Sequence, residues 1–226
     1  MKTIVISLGG SLILSDKNPK FLNNFKRTLR KHYKTHKFVI VCGGGSVARK
    51  YISMLKKDNK SKKELSLAGI RATRANAETI MQLFGKESNQ KLPITMKSIK
   101  SNLKENNVVI SGALRYTKDS TSDSTAANLA KFLNTKFINI TNVKGLYTEN
   151  PLTNKKAKFI SKISWTDFES RALKIKHTPG QHFVLDQKAS TIIRKNKITT
   201  YIIGPNLNSL SNILKGKKFV GTIITK

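Results

Sequence analysis

Two apolar runs near the start of the chain each end in a cluster of glycines, and this feature most constrains the fold. The runs are Ile4-Val5-Ile6-Ser7-Leu8-Gly9-Gly10-Ser11 and Phe38-Val39-Ile40-Val41-Cys42-Gly43-Gly44-Gly45-Ser46. A β-branched run that stops at glycines before a helical pattern predicts a strand, a tight turn and a helix. Because glycine has no Cβ, the backbone N–H groups of such a turn can face an anion beside the helix N-terminus. Two such turns in one domain predict two phosphate sites that face each other, as phosphoryl transfer requires.

Composition narrows the class of protein. The 226 residues fit one domain, and the single cysteine, Cys42, excludes an intramolecular disulfide and argues against a cysteine-based metal site. No apolar stretch approaches the roughly 18 residues of a membrane span. The N-terminus carries no signal-peptide pattern, so we expect a cytoplasmic protein without membrane contact. His32 and His36, four residues apart in a predicted basic helix, are expected on a solvated helix face rather than at a metal.

The net charge of +31 at pH 7 raises the question of a nucleic-acid partner. Lysines are spread through nearly every segment, together with many Asn and Ile residues, which is typical of an A/T-rich coding bias. The basic residues do not alternate with aromatics in one stripe, and no nucleic-acid-binding motif is visible. We therefore expect no nucleic-acid partner and expect the positive field to attract anionic nucleotides.

Strand patterns alternate with helical patterns along the chain. The predicted strands are 3–8, 37–42, 107–111, 136–141, 198–203 and 218–225. The predicted helices are 19–35, 46–57, 74–85, 95–104, 122–133 and 186–195. The polar segment 145–165 is predicted to be a loop or a small hairpin. Strands that alternate with helices imply a largely parallel sheet covered on both faces, with right-handed connections.

An ordered set of segments covers essentially the whole chain and carries a family resemblance. The segments are LGGS at 8–11, GGGSVARKYI at 43–52, GIRATRANA at 69–77, TSD at 121–123, TNVKGLY at 141–147, DQKA at 186–189 and GTII at 221–224. Neither the Walker pattern GxxxxGK[ST] nor the Rossmann glycine fingerprint is present. The set resembles the amino-acid kinase superfamily and, within it, the archaeal type of uridylate (UMP) kinase.

The resemblance implies a fold, a reaction and an assembly. The implied fold is α/β, a three-layer α/β/α sandwich with a mainly parallel central sheet, in a single domain of residues 1–226. An N-terminal lobe, about 1–135, would bind the phosphate acceptor and make oligomer contacts, and a C-terminal lobe, about 136–226, would bind ATP. The implied reaction is ATP + UMP → ADP + UDP with Mg²⁺, in a homohexamer built from dimers.

The same resemblance assigns roles to residues within the matching motifs. The residues expected to act in catalysis are Gly10, Arg49, Asp123 and Asp186. The residues expected to contact UMP are Gly44, Ser66, Thr73, Ala113, Thr121 and Ser122. The residues expected to contact ATP are Gly10, Ser11, Gly45, Arg49, Thr141, Tyr147 and Asn150. No protein residue is assigned as a metal ligand.

The residue types in these motifs suit phosphoryl transfer. Backbone N–H groups that are fixed before the reaction stabilise phosphate charge at little reorganisation cost. The planar guanidinium of Arg49, about one turn into its helix, suits phosphate oxygens, and the Tyr147 ring can stack on adenine. Asp123 and Asp186 lie at predicted helix starts, so an N-cap is the structural alternative for each.

A polar cluster of Thr73, Arg74 and Asn76 falls at the predicted start of helix 74–85. Thr73 is a good N-cap at that position. Arg74 has two interpretations that the sequence does not separate, contact with the UMP phosphate and support of subunit packing.

Several single residues depart from the family pattern. Ser7 stands where many superfamily kinases carry a lysine; the archaeal branch commonly lacks it, so Arg49 and Mg²⁺ would carry more of the charge stabilisation. Ser66 stands where the family usually has an aspartate that grips UMP, and loss of a charged acceptor would cost about 1.5–3 kcal/mol of binding. Asn150 replaces an aspartate in the ATP loop, and Lys144 replaces an acidic residue.

The largest departure is the segment 111–120, SGALRYTKDS, where the family has a compact Gly-Gly-Thr-x-Pro-Gly-x segment. The segment is longer here and lacks the second glycine and the proline. Because it lies where the pyrimidine and ribose should bind, base selectivity stays open, and CMP and dUMP are further candidate acceptors.

Three other functions stay open. Isopentenyl phosphate kinase is the nearest enzyme alternative, but that branch places a histidine soon after the triple glycine, where this chain has Ser46-Val47-Ala48-Arg49. A non-catalytic or weakened nucleotide-binding paralogue would fit Ser66 and the altered segment 111–120. An RNA-associated protein would use the positive charge and bind with a steep salt dependence.

Overall fold

A seven-stranded sheet organises the fold in a computed structural model that describes residues 1–14, 19–118, 120–151, 153–174 and 184–226. The strands are β1 (Lys2–Leu8), β2 (His36–Cys42), β3 (Val108–Ser111), β4 (Lys136–Ile140), β5 (Leu146–Tyr147), β6 (Phe159–Ile160), β7 (Lys162–Ser164), β8 (Thr200–Ile203) and β9 (Thr222–Thr225). The main sheet has the order β3-β2-β1-β4-β8-β9-β7, and within it only the pair β8–β9 is antiparallel. Strands β5 and β6 form a separate antiparallel hairpin, as predicted within 145–165.

Helices cover both faces of the sheet. They are α1 (Gly10–Ile13), α2 (Phe21–Arg30), α3 (Gly45–Lys57), α4 (Lys62–Phe84), α5 (Met96–Glu105), α6 (Ser122–Phe132), α7 (Trp165–Lys174), α8 (Gln187–Lys195) and α9 (Leu207–Leu214), with a 3-10 turn at Gly85–Glu87. Among the described residues, none of these helices has the length and apolar character needed to cross a membrane.

The sheet separates two hydrophobic cores. Because successive strand side chains point to opposite faces, β1 sends Ile4 and Ile6 into one core and Val5 into the other. Helices α2, α4 and α9 bury apolar side chains in the first core, and α5, α6, α7 and α8 do so in the second. The three-layer α/β/α sandwich with a mainly parallel sheet is therefore confirmed.

The start of α4 differs from the predicted helix 74–85, which was placed too late. The helix begins at Lys62 because Ser61 and Glu64 form a capping box, in which the Ser61 N–H donates to the Glu64 carboxylate at 2.9 Å. Thr73 therefore lies inside the helix, and its predicted role as an N-cap is wrong.

The end of α2 also differs from the prediction of a helix over 19–35. The helix ends at Arg30, His32 lies in the following turn, and His36 begins β2. Both histidines are buried, and the His32 Nε2 atom lies 3.0 Å from the Ser211 hydroxyl. The expectation of a solvated helix face is wrong because α9 covers this turn.

Candidate active site

The two glycine turns lie side by side at the carboxyl edge of the sheet and touch. Strands β1 and β2 pair in parallel with Leu8 opposite Cys42, so the turns that follow them leave the same edge. A Cβ on Gly10 would lie 2.2 Å from the backbone N of Gly45, and a Cβ on Gly45 would lie 2.7 Å from the carbonyl carbon of Gly10. Gly45 also has a φ of +60°, a conformation that favours glycine. The contact between the turns therefore requires glycine on both sides.

Both turns lead into helix N-termini that have no side-chain cap. Gly9 precedes α1 and Gly44 precedes α3, and neither helix start receives a side-chain cap hydrogen bond. Uncapped N–H groups at a helix start are the donors that bind phosphate in proteins. The uncapped helix starts are consistent with the predicted phosphate contacts of Gly10, Ser11, Gly44 and Gly45, which stay predictions.

The second turn is fixed from the core side by Asn76. The side-chain Nδ2 of this buried residue donates to the Gly43 carbonyl at 2.7 Å, and the Gly43 N–H donates to the Leu8 carbonyl at 2.9 Å. Sequence reasoning noted Asn76 without giving it this role. The spacing of Thr73, Asn76 and Ile80 along one helix places all three on the buried face of α4, which is the signal that identifies it.

Asp123 and Asp186 form a pair of carboxylates beside the turns. Asp123 lies in the first turn of α6, where its Oδ1 accepts a hydrogen bond from the Ser7 hydroxyl at 2.7 Å. Burial of the carboxyl group, followed by the negative charge of Asp186, raises the pKa of Asp123 to about 7, and the Ser7 hydrogen bond opposes this rise. Within the described part of the chain, no lysine or arginine forms an ion pair with either carboxylate.

This carboxylate pair fits a magnesium ion that also binds phosphate. Mg²⁺ is usually held by one or two carboxylates together with substrate phosphates rather than by a complete protein cage. Across the described ranges, no group of three or more His, Cys, Asp or Glu side chains could hold a metal ion, so the protein alone offers only a partial ligand set. Asp123 and Asp186 would be the protein ligands, and the sequence prediction assigned none.

Thr121 joins the helices that carry the two carboxylates. As the N-cap of α6, its hydroxyl accepts from the Ser124 N–H at 3.0 Å and also donates to the Asp186 carboxylate. Asp186 is in turn the N-cap of α8, where its Oδ1 accepts from the Ala189 N–H at 2.8 Å. Asp186 is therefore an N-cap, which was the structural alternative for both residues. The Asp123 carboxylate instead accepts its hydrogen bond from Ser7 of β1 and caps no helix.

Thr73 and Arg74 hold the start of the segment 111–120, of which residue 119 lies outside the described residues. The Thr73 hydroxyl accepts from the Ala113 N–H at 2.9 Å. The Arg74 guanidinium donates to the carbonyls of Ala113 at 3.3 Å and Leu114 at 2.8 Å. Arg74 therefore supports this segment, a role that neither sequence interpretation included. The UMP contacts of Thr73 and Ala113 stay predictions.

The remaining residues predicted on the acceptor side border the second turn. Ser66 lies half-buried in α4, one turn before Gly69, and its hydroxyl donates to the backbone carbonyl one turn earlier at 2.9 Å. The Gly69 carbonyl lies 3.7 Å from a Cβ placed on Gly44, so α4 lines this turn. Ser122 follows Thr121 at the start of α6, and the side chain of Arg49 is exposed on α3.

The other residues predicted to bind ATP, Thr141, Tyr147 and Asn150, lie after β4. The Thr141 N–H donates to the Ile203 carbonyl at 2.9 Å. Tyr147 lies in β5, half-buried, with its ring edge-on to Phe159 at 5.4 Å between centroids. The Asn150 backbone carbonyl accepts from the Asn154 N–H at 2.9 Å in the following turn.

Thr222 anchors the β5–β6 hairpin to the main sheet. Its hydroxyl accepts from the Leu146 N–H at 2.7 Å and donates to the Ile160 carbonyl at 2.5 Å. A Cβ on Gly145 would lie 2.7 Å from the same oxygen. Sequence reasoning assigned no role to Thr222, although it lies in the matching segment 221–224.

Comparisons with known proteins agree with one another. Residues 2–204 match the model of the amino acid kinase family. Uridylate kinases from Thermoplasma acidophilum and Archaeoglobus fulgidus are each 32% identical, covering 99% and 98% of this chain and 96% and 99% of theirs. The crystal structure of the Archaeoglobus fulgidus uridylate kinase matches with a TM-score of 0.85 at 31% identity, covering 100% of both chains. The UMP kinase of Bacillus anthracis shares the fold, with a TM-score of 0.81 at 20% identity, covering 99% of this chain and 96% of that one.

Proposed function

Because the chain belongs to the amino acid kinase family, we propose that it transfers the γ-phosphate of ATP to UMP, giving ADP and UDP. Similarity to archaeal uridylate kinases extends over nearly its full length and includes the segments of both substrate sides. The observation that carries the proposal is the contact between the Gly10 and Gly45 turns beside the Asp123–Asp186 pair. Two anion-binding turns in backbone contact would bring a donor and an acceptor phosphate within reach of each other.

We assign the acceptor and the donor to different lobes. Residues 1–135 would hold UMP and make oligomer contacts, and residues 136–226 would hold the nucleoside of ATP. The UMP side comprises Gly44, Ser66, Thr73, Ala113, Thr121 and Ser122. The ATP side comprises Gly10, Ser11, Gly45, Arg49, Thr141, Tyr147 and Asn150. This division is supported by the sheet order, in which α4 packs against β2 and β3 on one side of β1, while the β5–β6 hairpin bonds to Thr222 of β9 on the other side.

The reaction would be an in-line attack of a UMP phosphate oxygen on the γ-phosphorus of ATP. A phosphate acceptor is already anionic at neutral pH, so the reaction needs no strong general base. The N–H groups of the glycine turns would hold and orient the phosphates, and Arg49 would add positive charge. Asp123 and Asp186 would hold Mg²⁺, whose charge would neutralise phosphate charge. Ser7 supplies no cation and instead orients the Asp123 carboxylate.

We also propose that the protein self-associates, as a homohexamer built from dimers. Helix α3 has no buried residue, although Tyr51 and Met54 lie on it and are 47% and 57% exposed. Exposed apolar side chains on one helix are what a subunit contact would cover. A cytoplasmic location and the absence of a nucleic-acid partner stay predictions from the sequence.

A coupled ADP-release assay with ATP and Mg²⁺ tests the function, with UMP, CMP, dUMP and isopentenyl phosphate compared in parallel. We expect strong turnover with UMP. Turnover with isopentenyl phosphate alone would move the protein to that branch. No turnover with any acceptor, together with measurable ATP binding, would support the non-catalytic paralogue.

The variant Asp123→Asn tests the carboxylate pair in the same assay. We expect a large fall in kcat together with a higher free energy of unfolding at pH 8. Because the pKa of Asp123 is raised to about 7 in the folded state, ionisation of this carboxyl lowers the stability of the protein as the pH rises from about 4 through 7. Asparagine does not ionise, so the variant does not lose this stability. An unchanged kcat would remove Asp123 from the active site.

A further inference from the structure

Two cationic side chains from different helices hold the acceptor loop, defined here as residues 112–118. Arg74 of α4 donates to the carbonyls at its beginning, and Lys188 of α8 donates from Nζ to the Lys118 carbonyl at its end, at 2.6 Å. The loop lacks the proline of the family pattern, so no ring fixes a φ angle within it. Side-chain hydrogen bonds to its carbonyls are therefore the restraints visible at both ends.

Lys188 lies where its effect would reach the carboxylate pair. It stands two residues after Asp186, in the first turn of α8, and Lys118 stands three residues before Thr121. Thr121 donates to Asp186, and Lys188 donates to the Lys118 carbonyl, across 65 and 70 residues of sequence. The two contacts join the N-terminal ends of α6 and α8 side by side.

Local helix electrostatics do not account for Lys188. A cation in the first turn of a helix opposes the helix dipole and is unfavourable there. The side chain nevertheless extends to a carbonyl on another element, and its ammonium keeps two further N–H donors.

We propose that Lys188 is a positioning residue that fixes the end of the acceptor loop to α8, so that the loop and the helix capped by Asp186 move as one unit. The inference rests on the proposed function, in which this loop contacts UMP. A loop fixed to α8 would hold its UMP contacts at a constant position relative to the carboxylates of Asp123 and Asp186. Loss of the contact between Lys188 and the loop would weaken UMP binding while leaving the residues proposed to bind ATP in place.

Kinetic measurements on matched variants test this role. Lys188→Met removes the donors and keeps the chain length, Lys188→Arg retains a donor, and Lys195→Met is a control at the exposed far end of α8. We expect Lys188→Met to raise the KM for UMP about tenfold or more, as for loss of a hydrogen bond to a charged group, with the KM for ATP within about twofold. Lys188→Arg should restore most of the UMP affinity, and Lys195→Met should match the parent protein.

Limited trypsin digestion, with cut sites located by mass spectrometry, tests the contact between Lys188 and the acceptor loop without an activity assay. Arg115 and Lys118 are exposed cleavage sites within the acceptor loop. We expect Lys188→Met to be cut there faster than Lys195→Met, with the rest of the digestion pattern unchanged apart from the sites that the substitutions remove at 188 and 195. Equal cutting rates in the two variants would overturn the proposal even if UMP is phosphorylated. Faster cutting in a protein that does not phosphorylate UMP would support the contact and reject the function.

Discussion

The contact between the two glycine turns can be tested with a pair of alanine substitutions that share a backbone conformation. Gly45 and Gly216 have φ values of +60° and +68°, so alanine at either position adopts a left-handed conformation that costs about 1–2 kcal/mol. The surroundings differ. Nothing lies within 4 Å of a Cβ on Gly216, whereas a Cβ on Gly45 would lie 2.7 Å from the backbone C and O of Gly10.

The difference between the two variants isolates the contact. Backbone atoms cannot rotate aside, so Gly45→Ala must separate the turns, and overpacking of this kind adds about 1–3 kcal/mol. We expect Gly216→Ala to lower the free energy of unfolding by about 1–2 kcal/mol and Gly45→Ala by about 2–5 kcal/mol. Urea denaturation, fitted with one m-value for both variants, would measure the two free energies of unfolding.

The same two variants should also differ in kcat. A displacement near 1 Å between bound reactants costs about a hundredfold in rate, so Gly45→Ala should lose about that factor in kcat while Gly216→Ala keeps the parent rate. Equal destabilisation and equal activity in the two variants would refute the inference that the turns must touch for phosphates to meet.

Two further predictions concern the nucleotide side and the distant histidines. Tyr147→Ala should raise the KM for ATP and leave that for UMP nearly unchanged, as measured by varying each substrate; the reverse pattern would mean that the two sites are exchanged. His32 and His36 have pKa values lowered mainly by burial, so the unfolded chain takes up more protons below its own histidine pKa of about 6.5, and the contribution of these two groups to stability should fall from pH 7 to pH 5, opposite in sign to that of Asp123. Relative to the parent protein, the double variant His32→Gln/His36→Gln should gain stability in chemical denaturation as the pH falls over this range, and a difference between the two proteins that does not change with pH would refute this role.

Six of the seven strands in the main sheet could be predicted from the sequence because they are short apolar runs, mostly β-branched, that end at turn residues. The seventh, β7, is only three residues long and lies in the segment 145–165, which was predicted to be a loop or a small hairpin. The helix starts were harder, as α4 shows. Its first turn is exposed and lysine-rich, so apolar periodicity begins well after the capping box at Ser61 and Glu64 that starts the helix. Helices α1, α7 and α9 were not predicted, since short helices depend on tertiary packing such as the burial of Leu210.

The motif positions in the candidate site could also be predicted, because turns that follow parallel strands meet at one edge of a sheet. The hydrogen bonds that fix them could not. Ser7 and Asp123 are 116 residues apart, and Asn76 is 33 residues from Gly43. Such pairs depend on the direction of each side chain after packing, which a one-dimensional pattern does not specify.

During synthesis of the chain, the β5–β6 hairpin is complete long before Thr222, the residue that anchors it to the main sheet. The hairpin is complete at Ile160, and the Thr222 hydroxyl that joins its two strands follows 62 residues later. Until β9 has left the ribosome and paired with β8, the Leu146 N–H and the Ile160 carbonyl lack their partner. The ATP binding proposed for Tyr147 on this hairpin is therefore expected to be among the last properties that a growing chain acquires.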